Sequence, residues 1–282
     1  MNRRGILLAF LTVVGLVLIL LLGYLLGLRL MPTPQIAVVR IEGDIWGLYT
    51  DYLRDSLRQA ADDPAVSAIV LEIVSPGGEV TASEDLYFEI LKLRETKPVV
   101  ASIDEIAASG AYYIAAAADL IYAKPGSTVG NIGVISILPS PDLVDEQLFT
   151  TGPFKLSGGS QLAAIRQMEM LKDTFLEAIL SQRADRLQVG PDVLSRGEVY
   201  LGLQAQQMGL VDEVGARGDA IAAAARLALV RHYEVVDRTP ELPEELAFFG
   251  FKLERAMTAT LVAAPPRNLP PGFYFRYLEP PQ

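Results

Sequence analysis

Residues 66–74 (Val-Ser-Ala-Ile-Val-Leu-Glu-Ile-Val) form a nearly continuous apolar run that stops at Ser75-Pro76-Gly77-Gly78. A strand wetted on one face alternates apolar and polar residues. A strand without that alternation is buried on both faces, as in parallel sheets covered by helices. The neighbouring segments agree. Ile36–Ile41, Val99–Ile103 and Leu120–Ala123 read as further strands, and Tyr52–Ala61, Val80–Glu95 and Gly110–Ala117 as helices. This alternation predicts an α/β domain, a parallel sheet with helices on both faces. Farther along, Gln161–Arg186 predicts one long helix, Pro191–Arg196 a short one and Asp219–Val230 another, with strands at Val211–Val214 and Tyr233–Val236.

Ahead of this domain, Gly5 to Leu28 contains no charged residue. About 20 apolar residues span a bilayer, so the stretch is long enough for one transmembrane helix. Arg3 and Arg4 precede it, which places the N-terminus in the cytoplasm and the remainder outside. The alternative is a cleaved signal peptide, with an apolar core of about 7–15 residues and a small-x-small cleavage site. Leu26-Gly27-Leu28-Arg29-Leu30 offers no such site, so an uncleaved anchor is expected. The organisation is then residues 1–30 as cytoplasmic stub and anchor, 31–239 as the α/β domain, and 240–282 as a Pro- and aromatic-rich appendage.

Composition removes whole classes of chemistry. The 282 residues include no Cys and one His, His232, so thiol nucleophiles, disulfides and multi-histidine metal sites are excluded. The net charge is −10, and all 34 acidic residues lie beyond residue 30. An acidic body of this kind argues against a nucleic-acid partner. No cofactor or metal is expected.

Three segments can carry chemistry. Ser75-Pro76-Gly77-Gly78 follows a buried strand, where glycines let backbone N–H groups approach a ligand; many such turns only connect. Ser109 sits among tiny residues in Ile106-Ala107-Ala108-Ser109-Gly110-Ala111-Tyr112-Tyr113, at the start of a helix. It reads either as an N-cap, the commoner use of Ser, or as a nucleophile beside the unpaired Gly110 N–H. A serine nucleophile needs a base. Of the six lysines, Lys155 in Thr151-Gly152-Pro153-Phe154-Lys155 lies between apolar residues, where desolvation would favour a neutral amine; most loop lysines are solvated.

Taken in order, these segments, Val129-Gly130-Asn131-Ile132-Gly133-Val134-Ile135 and Gly197-x-Val199-Tyr200-x-Gly202-x-Gln204-Ala205-x-x-x-Gly209-Leu210-Val211-Asp212-Glu213-Val214-Gly215 resemble the signal peptide peptidase A family, short form. The resemblance covers residues 35–235. It implies a fold related to Clp protease and crotonase and a serine endopeptidase with a Ser/Lys dyad. Ser109 would be the nucleophile, Lys155 the general base, and the N–H groups of Gly78 and Gly110 the oxyanion hole. Asn131 falls where the family commonly has a Ser that holds the lysine, and an Asn amide oxygen could do the same. Ala111 and Val74 are further departures, bearing on substrate preference. The resemblance also implies a ring- or bowl-shaped homo-oligomer with dyad residues from adjacent subunits, and released signal peptides as substrates. Alternatives are a membrane peptidase partnering stomatin-like proteins, an acyl-CoA enzyme of the crotonase type, and an inactive oligomeric scaffold.

Two expectations concern surfaces. Ala107, Ala108, Ala111 and Tyr112 flank Ser109 and would favour small or medium apolar side chains in the substrate. In the appendage, Leu246 to Val262 and Phe273-Tyr274-Phe275 would be costly to expose. They pack on their own domain, meet a neighbouring subunit or touch the bilayer, the subunit contact being preferred.

Overall fold

The computed structural model describes residues 3–30, 33–137, 151, 154–155, 158–243 and 272–276. Helix α1 runs from Arg3 to Leu30, and its described side chains, such as Phe10 and Leu20, are exposed. Among the described residues no helix is long and apolar enough to cross a membrane.

The domain is built on a sheet whose parallel strands are β1 (Gln35–Glu42), β2 (Val66–Ser75), β4 (Val99–Ala108), β5 (Leu120–Ala123), β9 (Glu213–Val214) and β10 (Glu234–Asp237), in the order β10-β1-β2-β4-β5-β9. Helices α2 (Gly47–Asp62), α3 (Val80–Leu93), α4 (Gly110–Ala116) and α5 (Gln161–Arg183) share the larger core with the sheet. Two short helices, α6 (Pro191–Leu194) and α7 (Gly202–Gln207), come after α5 in the chain and add Leu194 and Ala205 to that core. Helix α8 (Arg217–Leu227) contributes Ala220, Ala223, Ala224 and Ala225 to a smaller core with Ile36, Val38, Val70 and Val100. Both faces of β1, β2 and β4 are thus covered, which accounts for their predominantly apolar sequence.

The sheet is mixed, not purely parallel. Strand β6 (Thr128–Gly130) runs parallel to β4, but β8 (Val199–Leu201) pairs antiparallel with β6. The expected turn at Ser75–Gly78 also differs: Gly77–Glu79 is a short strand, β3. It belongs to a second, three-stranded antiparallel sheet, β3-β11-β7, with β7 at Ile135–Ile137 and β11 at Gly272–Arg276. Short strands of three residues carry too little alternation to be legible in sequence.

Strand β4 is longer than expected because it has two neighbours on one edge. Val100–Ile103 pair with β5 and Ile106–Ala108 with β6. On its other edge the register with β2 slips, Ile73 facing Ile103 and Ser75 facing Ala107. The two extra residues on β4 form a bulge, and a bulge bends its strand and re-aims the residues beyond it. The first residue beyond β4 is Ser109.

Candidate active site

Ser109 occupies the junction between β4 and α4 with φ 53° and ψ −121°. This backbone region is comfortable for Gly and costs other residues about 1–3 kcal/mol. The conformation is over-determined by its surroundings. The Ser109 N–H donates to the Gly130 carbonyl at 2.7 Å, and the Ser109 carbonyl accepts from Tyr113 N–H at 2.9 Å. Ser109 holds the N-cap position of α4, yet its hydroxyl makes no cap hydrogen bond. Its Oγ is buried and has no hydrogen-bond partner among the described residues. A buried hydroxyl normally finds a partner. A strained strand-to-helix turn is also the backbone setting in which α/β-hydrolases present a serine nucleophile.

The floor beneath Ser109 is rigid. All seven residues of α4 are buried. Tyr112 donates its hydroxyl to the Leu210 carbonyl at 2.8 Å, and burial pushes its phenol far above the usual range. Tyr113 packs tilted against Tyr87 and edge-on to Phe175, with ring centroids 4.5 and 4.9 Å away. Ala107, Ala108, Ala111 and Tyr112 are 0% exposed, so they belong to this floor and do not form the substrate-facing surface expected of them. Tiny residues are needed here because α4 lies directly on the sheet.

Gly78 sits on β3, which packs against α4. A Cβ at Gly78 would lie 1.9 Å from the Ile45 carbonyl oxygen, so no other residue fits. The cause is a backbone ladder: Ile45 N–H donates to Gly77 O at 3.0 Å, and Glu79 N–H to Ile45 O at 2.8 Å. Successive peptide groups in a strand point to opposite sides. The Gly78 N–H and C=O therefore face away from Ile45. Ser75 Oγ accepts the Gly77 N–H at 3.1 Å and fixes the approach to the strand. The Gly110 N–H, at the first position of α4, lacks an intrahelical acceptor by geometry.

None of the remaining expected residues forms a hydrogen bond with the Ser109 hydroxyl among the described residues. Asn131, at φ 57°, gives its Nδ2 to the Gly197 carbonyl at 2.7 Å and its N–H to Glu198 O at 2.8 Å, tying the end of β6 to the loop before β8. Lys155 is exposed in the single chain. No hydrogen bond joins it to Ser109. His232 is exposed and precedes β10 at the amino ends of the parallel strands, whereas Ser109 follows the carboxyl end of β4. Three strand spacings, roughly 14 Å, also separate β10 from β4. Within one chain, His232 is therefore out of reach of Ser109.

Two contributors escaped sequence reasoning. Gly130, the acceptor that holds Ser109, has φ 110°, and a Cβ there would meet Glu198 O at 3.1 Å. Arg183 is buried and donates to Gly209 O and to both carboxylate oxygens of Asp212, which also accepts from Ile121 N–H and Arg186. This hub explains Gly209-Leu210-Val211-Asp212 as a structural motif clamping α5 to the sheet edge. The signal was present, since Arg183 lies on the otherwise apolar side of a helix.

The model of peptidase family S49 matches residues 92–231, and that of the NfeD1b N-terminal domain matches residues 35–138. A putative protease of Methanocaldococcus jannaschii is 31% identical over 212 residues, covering 71% of this chain and 68% of that protein. The chain belongs to peptidase family S49. Protease 4 of Haemophilus influenzae is 35% identical over 214 residues, covering 68% of this chain and 35% of the relative. The chain thus spans about a third of the length of that S49 relative. A membrane-bound stomatin-specific protease solved with a substrate peptide superposes with TM-score 0.55 at 17% identity, covering 78% of this chain and 100% of that one; the two share the fold. The matched region contains both Ser109 and Lys155.

Proposed function

We propose that this chain is a serine endopeptidase that cuts peptides with a Ser109/Lys155 dyad. The observation carrying the proposal is the Ser109 hydroxyl, which is buried, unpaired among the described residues and held on a strained turn. In the reaction the neutral Lys155 amine takes the Oγ proton as Oγ attacks the substrate carbonyl carbon. The resulting oxyanion lies between the N–H groups of Gly78 and Gly110. Collapse breaks the peptide bond, with the lysine returning its proton to the departing amine. Water, deprotonated by the same lysine, then releases the acyl group from Oγ. Lys155 becomes desolvated and reaches Ser109 when chains assemble side by side, as the resemblance to ring-forming peptidases suggests. Asn131 supports the lysine through its amide oxygen.

The substrates are apolar peptides, signal peptides among them, and α1 with its exposed Leu, Val and Ile side chains anchors the domain at the membrane. The catalytic domain then lies outside the cytoplasm. A stomatin-like membrane protein is the second reading, and it has the fold neighbour's name in its favour.

A serine-directed fluorophosphonate tests the reading. The purified chain should be labelled at Ser109, and Ser109→Ala should not. Labelling that survives in Ser109→Ala sinks the assignment. Peptide panels drawn from signal sequences and from stomatin-like proteins separate the two substrate readings.

A further inference from the structure

The segment from Ala220 to Tyr233 has no acidic residue and carries Arg226 and Arg231, in a chain of net charge −10. It comprises most of α8 and the loop that leads into β10. That loop lies at the amino ends of the parallel strands, because Glu234 pairs with Gln35 and its N–H donates to the Pro34 carbonyl at 2.9 Å. Leu229 closes α8 at φ 59°, with its N–H on the Arg226 carbonyl and the Val230 N–H on the Ala225 carbonyl. Glycine is the usual residue at this left-handed position, and a leucine there is strained. The strained Leu229 is also 91% exposed, so burial within the chain does not offset the strain. Leu227, two residues earlier, and Val235, at the start of β10, are exposed as well. So are Arg226 and Arg231. At the same end of the sheet, Asp63 is paired with Arg238 and Asp119 with Arg94. This end also receives the chain from α1: only residues 31–34 separate Leu30 from β1, a reach of at most about 18 Å.

We propose that residues 226–231 form a second membrane contact, in which Leu227 and Leu229 enter the headgroup–acyl boundary of an anionic bilayer and Arg226 and Arg231 lie among its phosphates. This rests on the reading of α1 as a membrane anchor and goes beyond it, since an anchor alone leaves the domain free to turn. Chemistry and position choose the occupant. Exposed leucines flanked by arginines are the mix that interfacial segments carry, and the arginines are drawn to anionic headgroups. The short linker from α1 holds this loop close to the bilayer. Linker and loop together fix the orientation of the domain. The amino ends of the strands face the bilayer, and Ser109, which follows the ten-residue β4, stands roughly 30 Å farther out. Peptides then reach Ser109 from the aqueous side, after they have left the bilayer.

The test uses the full chain in vesicles of equal parts phosphatidylcholine and phosphatidylglycerol. The chain has no Cys, so Leu229→Cys supplies a single thiol for an environment-sensitive fluorophore. Glu105→Cys, at an exposed position near the carboxyl end of β4, supplies the reference. Neither change disturbs the core. Flotation with the vesicles is read first, and a chain that does not float overturns the anchor and the proposal together. In floated chains the Leu229→Cys probe should shift to the blue and be quenched by nitroxide-bearing lipids, and the Glu105→Cys probe should do neither. Floated chains in which the two probes behave alike overturn the proposal and leave the anchor standing. A blue shift without quenching means that protein, a second copy included, covers the loop, and this overturns it too. Arg231→Glu in the Leu229→Cys chain should weaken the quenching; unchanged quenching overturns the role given to the arginines.

Discussion

The Ser109 N–H meets the Gly130 carbonyl at 2.7 Å, and both residues have positive φ, 53° and 110°. The end of β4 and the end of β6 therefore hold each other in conformations that neither would adopt alone. The hydroxyl of Ser109 has no hydrogen-bond partner among the described residues.

Ser109→Ala is expected to fold normally and to abolish peptide cleavage, since it removes one unpaired oxygen and no packing. Ser109→Gly should be equally inactive but more stable than Ser109→Ala by about 1 kcal/mol, because Gly adopts φ 53°, ψ −121° without strain. Thermal melts of the two variants check this. Equal melting temperatures would mean that the turn is not strained.

Lys155→Ala and Lys155→Arg should both be inactive, as arginine keeps the charge but cannot give up its proton. A base must be unprotonated to act, so wild-type activity should rise with pH. His232→Ala should cleave at the wild-type rate, because His232 lies at the opposite ends of the strands from Ser109. An essential His232 with a dispensable Lys155 reverses the assignment.

Asp212→Ala should be among the most destabilising substitutions. It leaves the Arg183 guanidinium, whose side chain is 0% exposed, with only the Gly209 carbonyl. Breaking a buried pair in this way costs about 3–5 kcal/mol. Arg183→Met should cost less, because Asp212 keeps Arg186 and the Ile121 N–H. Denaturant unfolding of both variants decides the order.

Glu84 gives a pH signature. Burial, with Asp85 beside it, raises its carboxyl above the ordinary 4.5. The folded state thus favours the protonated form. The stability it contributes is complete below the unfolded value and is lost as pH rises through the raised folded value. Glu84→Gln should melt slightly above wild type at pH 7, by no more than about 0.5 kcal/mol given its partial exposure, and equal to it at pH 4. A destabilised variant at pH 7 contradicts this.

Much of the fold was legible in the sequence. Nearly continuous apolar runs at Val66–Val74 and Val99–Ile103, bounded by turn residues, read as strands covered on both faces, and the helices between them are set by their spacing. The order of the Ser109, Gly78 and Asn131 segments carried the family, and the absence of Cys and the single His narrowed the chemistry. The tertiary structure decided the rest. Whether Ser109 caps its helix depends on where its hydroxyl points, which Gly130 and the β4 bulge set from a distance. Whether His232 can serve depends on strand order and direction, which no local pattern encodes. Whether Phe273-Tyr274-Phe275 faces a neighbour, a membrane or its own domain was open in sequence. The backbone places Gly272–Arg276 between β3 and β7, and the dense run from Leu246 to Val262 lies outside the described residues. Side-chain chemistry and spacing determine which residues want burial or extension; only pairing across some 200 residues, as between Gly78 and Phe275, determines what they meet.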